Sequence, residues 1–183
     1  MKNLIKASIL ITVATFAISG CATMNYPTAY KVEGKEYTKF KELDDDRALK
    51  LVALIYNVAT ENWEDGIARS IALEEYMTLL SRRNSKYIKN SGIFEAKYDK
   101  VKLSAWKDED LIKLFNALGP KADLYYMDAA PKLTEIQNAQ RIVYLTAINA
   151  IDTEMKKRRN TKSAVSIASQ ILVTALSVAL SMI

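Results

Sequence analysis

Residues 133–157 read LTEIQNAQRIVYLTAINAIDTEMKK, and this stretch decides the fold. Apolar residues return in it at intervals of three and four, which predicts an amphipathic α-helix. One predicted face carries Leu133, Ile136, Val143, Ala147, Ile151 and Met155, and the opposite face carries Asn138, Arg141, Asn149, Asp152 and Lys156. Pro131 fits the first turn of this helix. Because no Gly or Pro follows Pro131, we expect the helix to continue into the carboxy-terminal segment.

Shorter helices are predicted upstream. Acidic residues 44–46 favour a helix start, and the helix would run to about Thr60. Asn62 or Asp65 would begin the next helix, which would end near Arg82-Arg83. A weaker amphipathic stretch covers residues 94–103. Ser104 would cap a further helix, stopped after Leu118 by Gly119-Pro120.

These patterns, with only 5 Gly and 3 Pro in 183 residues, predict an all-α fold. We expect a helical bundle with a long carboxy-terminal helix that ends in an uncharged apolar tail. The predicted organisation is a leader over residues 1–20, a tether over 21–42, a bundle over 43–160 and an apolar helix over 161–183.

The amino terminus has the parts of an export signal. Lys2 and Lys6 precede an uncharged, largely apolar run from Ala7 to Phe16. The run leads into Ile18-Ser19-Gly20-Cys21, which resembles the lipobox of bacterial lipoproteins. The resemblance implies that residues 1–20 are removed and that Cys21 carries the lipid, while Ala22 in place of Asp implies sorting to the outer membrane.

Residues 163–183 contain no charged, aromatic, Gly or Pro residue. As a helix they would reach about 31 Å, close to the thickness of a bilayer core. A polar stripe includes Ser166, Gln170, Thr174 and Ser177, and a small-residue face carries Ala164, Ala168, Ala175 and Ala179. Two interpretations stay open, which are packing against protein, including a second copy, and insertion into a membrane.

A basic cluster precedes this tail, with Lys156, Lys157, Arg158 and Arg159 in sequence. Such a cluster is typical of a solvated helix face, and it is also suited to contact lipid phosphates.

The composition argues against most enzymatic chemistry. The sequence has no His and a single Cys, which excludes Ser-His and Cys-His catalysis and His-ligated zinc. Glu64-Asp65 beside Trp63, and the acidic run 108–110 after Trp106, are either carboxylate pairs for hydrolysis or acids that complement helix starts. The net charge of +5, which falls to +3 without the leader, makes nucleic acid a poor partner. We expect no enzyme activity, cofactor, metal or small-molecule substrate.

The sequence therefore predicts a non-enzymatic lipoprotein, anchored in the bacterial outer membrane through its lipid and facing the periplasm. It would serve as a structural or interaction subunit of an envelope assembly of the secretion, export or motility type. The expected partners are other envelope proteins or further copies of the chain. The alternative is a membrane-active oligomer whose carboxy-terminal helices insert into the outer membrane as a pore or plug.

Overall fold

The computed structural model describes residues 30–124 and 133–180, and it describes side chains within residues 30–122 and 133–163. The chain is mostly helical, with one small two-stranded sheet. In order, the elements are β1 (Tyr30–Val32), β2 (Lys35–Tyr37), α1 (Asp45–Tyr56), α2 (Trp63–Ser81), α3 (Lys86–Lys89), α4 (Asp108–Leu124) and α5 (Glu135–Leu180). Three 3-10 turns lie at Phe40–Glu42, Ile93–Glu95 and Leu103–Ala105. The prediction of a helical protein with a long carboxy-terminal helix is confirmed, and the hairpin corrects the all-α assignment.

The hairpin corrects the boundary of the predicted tether. β1 and β2 pair antiparallel, with Tyr30 opposite Tyr37. The two residues between them, Glu33 and Gly34, both have positive φ angles, 52° and 72°, as a tight hairpin turn requires. Val32 is fully buried in the core. The segment expected as tether is thus folded from Tyr30 onward, because its apolar residues have a core to pack against.

The helix starts follow the capping rules. The Asp44 side chain accepts a hydrogen bond from the Arg47 amide and caps α1. The Asn62 side chain accepts one from the Asp65 amide and caps α2. Each bond satisfies an amide that has no partner within its own helix. Both predicted starts are confirmed, and Asn62 rather than Asp65 is the cap.

α5 is the central helix, and its two predicted faces are partly wrong. Every residue from 141 to 148 is buried, because α1, α2, α4 and β1 all pack against this helix. Ile136, expected in the core, is 62% exposed near the helix start. Asn138 and Arg141, expected in solvent, are 2% and 3% exposed. A helix surrounded by other elements has no wide polar face, so a two-face pattern does not describe it.

α4 differs from its prediction at both ends. Ser104 lies in a 3-10 turn and does not cap the helix, which begins at Asp108. At the other end, α4 passes through Pro120 and continues to Leu124. Beyond the proline, Lys121 pairs with Asp65 and Ala122 is buried, and these tertiary contacts hold the last turns in place. Packing here outweighs the local signal of Gly119-Pro120.

The predicted amphipathic stretch 94–103 is not an α-helix. Its two ends belong to the 3-10 turns Ile93–Glu95 and Leu103–Ala105, and the chain between them is irregular. Its apolar residues Tyr98, Val101 and Leu103 still pack against the core, which accounts for their spacing. Pro131 lies outside the described residues, and α5 begins at Glu135 after a reciprocal pair of bonds between Thr134 and Gln137.

Candidate functional site

The sites predicted from the sequence lie at the two ends of the chain. Cys21 is outside the described residues. The α5 backbone is helical through the tail up to Leu180, so the small and polar tail residues lie on one continuous helix. The side chains of the predicted seam, Ala164, Ser166, Ala168, Gln170, Thr174, Ala175, Ser177 and Ala179, are outside the described set. The packing assigned to them stays a prediction.

α5 extends past the level at which α4 begins. Arg158 Nη1 and Lys162 Nζ each lie 2.8 Å from a carboxylate oxygen of Asp108, the first residue of α4. Residues 163–180 continue the helix from that level for about 27 Å. The carboxy-terminal part of α5 therefore extends beyond its contact with the α4 start.

Arg158 fixes this junction. Its guanidinium donates to the carbonyls of Trp106 and Leu103, both at 2.8 Å, and also to Asp108 and Glu154. A planar group with several donors is suited to joining a helix to irregular chain in this way. Lys162 and Arg158 also hold the pKa of the Asp108 carboxyl below its usual range through hydrogen bonds. The base of the extension is thus fixed to the bundle.

The other residues of the basic cluster differ in whether they form ion pairs. Lys156 pairs with Asp152 at 2.7 Å along the same helix. Lys157 and Arg159 are exposed. The phosphate contact predicted for the cluster stays a prediction, and Arg158 would have to exchange four intramolecular bonds to take part in it.

In each of the two acidic groups considered for hydrolysis, one carboxylate is bound by a cation. Asp65 accepts from Lys121 Nζ at 2.6 Å and from the Tyr144 hydroxyl at 3.3 Å, and it is 3% exposed. Asp108 accepts from Arg158 and Lys162, as described above. In both places the carboxylate joins helices to one another, and the dominant role visible in the contacts is structural. The sequence could not show these partners, because each lies 50 or more residues away.

The amino-terminal hairpin lies near the opposite end of α5 from the tail. The Lys31 amide in β1 donates to the Asn138 side chain near the start of α5, at 3.0 Å. Along a straight helix, Ser163 is about 37 Å and Leu180 about 63 Å beyond Asn138. The nine residues from Cys21 to Tyr30 span at most about 32 Å even when fully extended. The first described residues of the chain therefore lie near the start of α5, and the tail forms the other end.

Where the side chains are described, at residues 30–122 and 133–163, no helix has an apolar stretch long enough to cross a membrane. No group of three or more Cys, Asp and Glu side chains in the same residues is arranged to hold a metal ion. Comparisons of the chain with protein-family models, with curated proteins and with solved structures gave no match.

Proposed function

We propose that this chain is a lipid-anchored interaction subunit of a bacterial envelope assembly. Cys21 would hold it in the outer membrane, and the folded bundle would face the periplasm. The extension of α5 would carry the binding surface for a second copy or for another envelope protein. The chain would act through contacts between proteins, as a subunit of a secretion, export or motility apparatus.

The observation that carries this proposal is the separation of hairpin and tail along α5. Asn138 holds β1 near one end of the helix, while the uncharged segment from Ser163 occupies the other. A tether of at most about 32 Å keeps the folded domain close to the anchoring membrane. With α5 perpendicular to that membrane, the tail is then directed away from the lipid and toward partners further into the periplasm.

The same distances weigh against the alternative of a pore or plug in the anchoring membrane. If the tail stood upright in that bilayer, the hairpin would lie about 37 Å above its surface. The tether from Cys21 is shorter than this, at about 32 Å when fully extended. The one feature in favour of the alternative is the length of the uncharged segment 163–183, close to a bilayer core.

A double variant, Thr174→Arg with Ala175→Arg, tests the proposal. It puts two charges into the tail, and Asn149→Arg on the exposed surface of the same helix is the matched control. We expect the double variant to remain membrane-bound through Cys21, to stay folded, and to lose the crosslinked oligomer or partner seen with the control. A tail in protein contact cannot accept two unpaired charges without loss of affinity.

The same pair in a Cys21→Ser background tests the alternative. Membrane retention that persists without Cys21 and disappears with the two arginines would show a tail in lipid and would overturn the proposal. The anchor is tested by mass spectrometry of native protein. The proposal requires a diacylglycerol on the Cys21 sulfur, and an unmodified thiol with residues 1–20 still attached would contradict it.

A further inference from the structure

An open cleft of about 640 Å³ lies beside the start of α2. Its walls are the end of α1 with the following turn, the first turns of α2, and the irregular chain around Tyr98. A volume of this size is in the usual range of ligand sites, about 300–1,000 Å³. The proposed function makes no use of this cleft.

The floor of the cleft includes a glycine with open space above it. Gly66 is within α2, and a Cβ placed on it would meet nothing within 4 Å. Packing therefore does not require glycine there, although glycine inside a helix is destabilising relative to alanine. The missing side chain leaves space above the helix backbone, and a larger residue would fill it.

One turn further along α2, the floor carries a buried hydroxyl. Ser70 lines the cleft and is 9% exposed. A buried hydroxyl that faces a cleft can donate one bond to a ligand and accept another. It provides the polar contact that fixes how a ligand lies.

Aromatic rings flank this floor. Trp63 is 47% exposed and Tyr56 is 39% exposed. Tyr98 is half-buried on the opposite wall of the cleft. The ring centres of Trp63 and Trp106 lie 6.4 Å apart, and the Lys113 ammonium lies 5.6 Å from the Trp63 ring centre. These neighbours limit the orientation of the indole. Exposed rings with polar edges combine apolar contact with hydrogen bonding.

The charge of the cleft is nearly balanced. Arg69 donates to the Val58 carbonyl at 3.0 Å and so holds the turn that forms one wall. Lys97 and Asp99 carry opposite charges on the facing wall. A phosphate-rich polymer would require a much stronger excess of positive charge. The cleft is better suited to an uncharged ligand that has both apolar faces and many hydroxyl groups.

We propose that this cleft binds a segment of a neutral polysaccharide. The C–H faces of the sugar rings would lie against Trp63 and Tyr56, and a sugar hydroxyl would exchange hydrogen bonds with Ser70. Asn57 on the rim donates one N–H of its side-chain amide to the Ala53 carbonyl, and the amide has a second N–H and an acceptor oxygen. The glycan is bound and not cleaved, so no covalent step is involved. This inference goes beyond the proposed function and does not depend on lipidation of Cys21.

The test is calorimetric titration of the full-length protein in detergent with two probes, the hexamer of N-acetylglucosamine and the hexamer of glucose. We expect saturable binding of at least one probe with a Kd between about 0.01 and 1 mM. Trp63→Ala should weaken that binding by about tenfold or more, the loss of one stacked ring. Tyr87→Ala, which removes a 58% exposed ring on α3, is the matched control and should leave the affinity unchanged.

Gly66→Leu separates a role in binding from a role in folding. Leucine favours helix over glycine, so the free energy of unfolding should be equal or higher, while its side chain fills the cleft and abolishes binding. Binding that survives Gly66→Leu would place the glycan elsewhere and overturn the inference. Absence of saturable binding for both hexamers would overturn it as well. Since Cys21→Ser should not alter the titration, failure here is distinguishable from failure of the lipoprotein proposal.

Discussion

Lys121 Nζ lies 2.6 Å from Oδ1 of Asp65, a carboxylate that is almost fully buried at the start of α2. Tyr144 on α5 donates its hydroxyl to the same oxygen, and the Glu61 amide donates to the other. One buried acid therefore joins three helices, which meet at a charge that must be compensated.

Lys121→Met tests this arrangement by removing the cation and keeping much of the side-chain volume. We expect the free energy of unfolding to fall by roughly 1–3 kcal/mol, less than for a fully buried pair because Lys121 is partly exposed. Urea denaturation followed by far-UV circular dichroism measures the change. Lys107→Met on the exposed surface is the control. Adding Asp65→Asn should recover part of the loss, since an amide needs no cation, and equal stability of Lys121→Met and wild type would contradict the prediction.

Buried tyrosines predict a loss of stability in alkali. Burial raises the pKa of Tyr76 well above its usual value, and burial also raises the pKa of Tyr144. The folded state then keeps protons that the unfolded chain releases above about pH 10, so stability is present below that pH and falls as the pH rises toward the folded pKa.

Tyr76→Phe should make the free energy of unfolding less dependent on pH above about pH 10. Denaturation midpoints measured across this range would show a shallower decline than in wild type. Tyr56→Phe changes an exposed tyrosine and should leave the wild-type slope. Identical slopes in wild type and Tyr76→Phe would show that the ionisation of Tyr76 does not limit alkaline stability.

We expect Arg83 to contribute more to the free energy of unfolding than the adjacent Arg82. Its guanidinium donates to the Phe40 and Leu43 carbonyls and to Asp45, and it lies 5.1 Å from the centre of the Phe40 ring. Lysine cannot reproduce a planar group with these donors. Arg83→Lys should lower the free energy of unfolding by about 1–3 kcal/mol, whereas Arg82→Lys, on exposed surface, should change little. Equal effects of the two substitutions in the same urea titration would be inconsistent with this role.

We expect the Asn138 side chain to stabilise the attachment of the hairpin to α5. Its side chain accepts from the Lys31 amide at 3.0 Å, and Asn138 is 2% exposed. Asn138→Ala should cost about 1–2 kcal/mol and should speed hydrogen exchange at the Lys31 amide more than at amides of α2. Asn149→Ala, exposed on the same helix, is the control. Unchanged exchange at Lys31 would contradict the role of the Asn138 side chain, because the Lys31 amide is not hydrogen-bonded to β2.

The sequence predicted what local chemistry determines. Asp44 and Asn62 could be recognised as caps because a cap acts on amides only two or three residues away. The long α5 was visible in its apolar period. Its faces were not, since Ile136, Asn138 and Arg141 depend on which elements surround the helix. Likewise Pro120 does not end α4, because contacts of residues 121 and 122 with distant segments hold the helix together.

The hairpin and the cleft were missed for different reasons. Glu33-Gly34 between two short alternating segments was a usable turn signal, but strands of three residues carry too little pattern to stand out. Gly66 within a helical pattern was also a signal, because an isolated glycine there often has a packing or functional reason. The pairing of Asp65 with Lys121 had no sequence signal, since 56 residues separate them.

The continuity of helix α5 also has a mechanical consequence. A force applied near Leu180 would be transmitted along the continuous helix to the bundle, because α5 has no break between Leu180 and the bundle. The load first reaches the junction at Arg158 and then the buried residues around Ile151. Pulling α5 out of the bundle along its axis would load these contacts in shear.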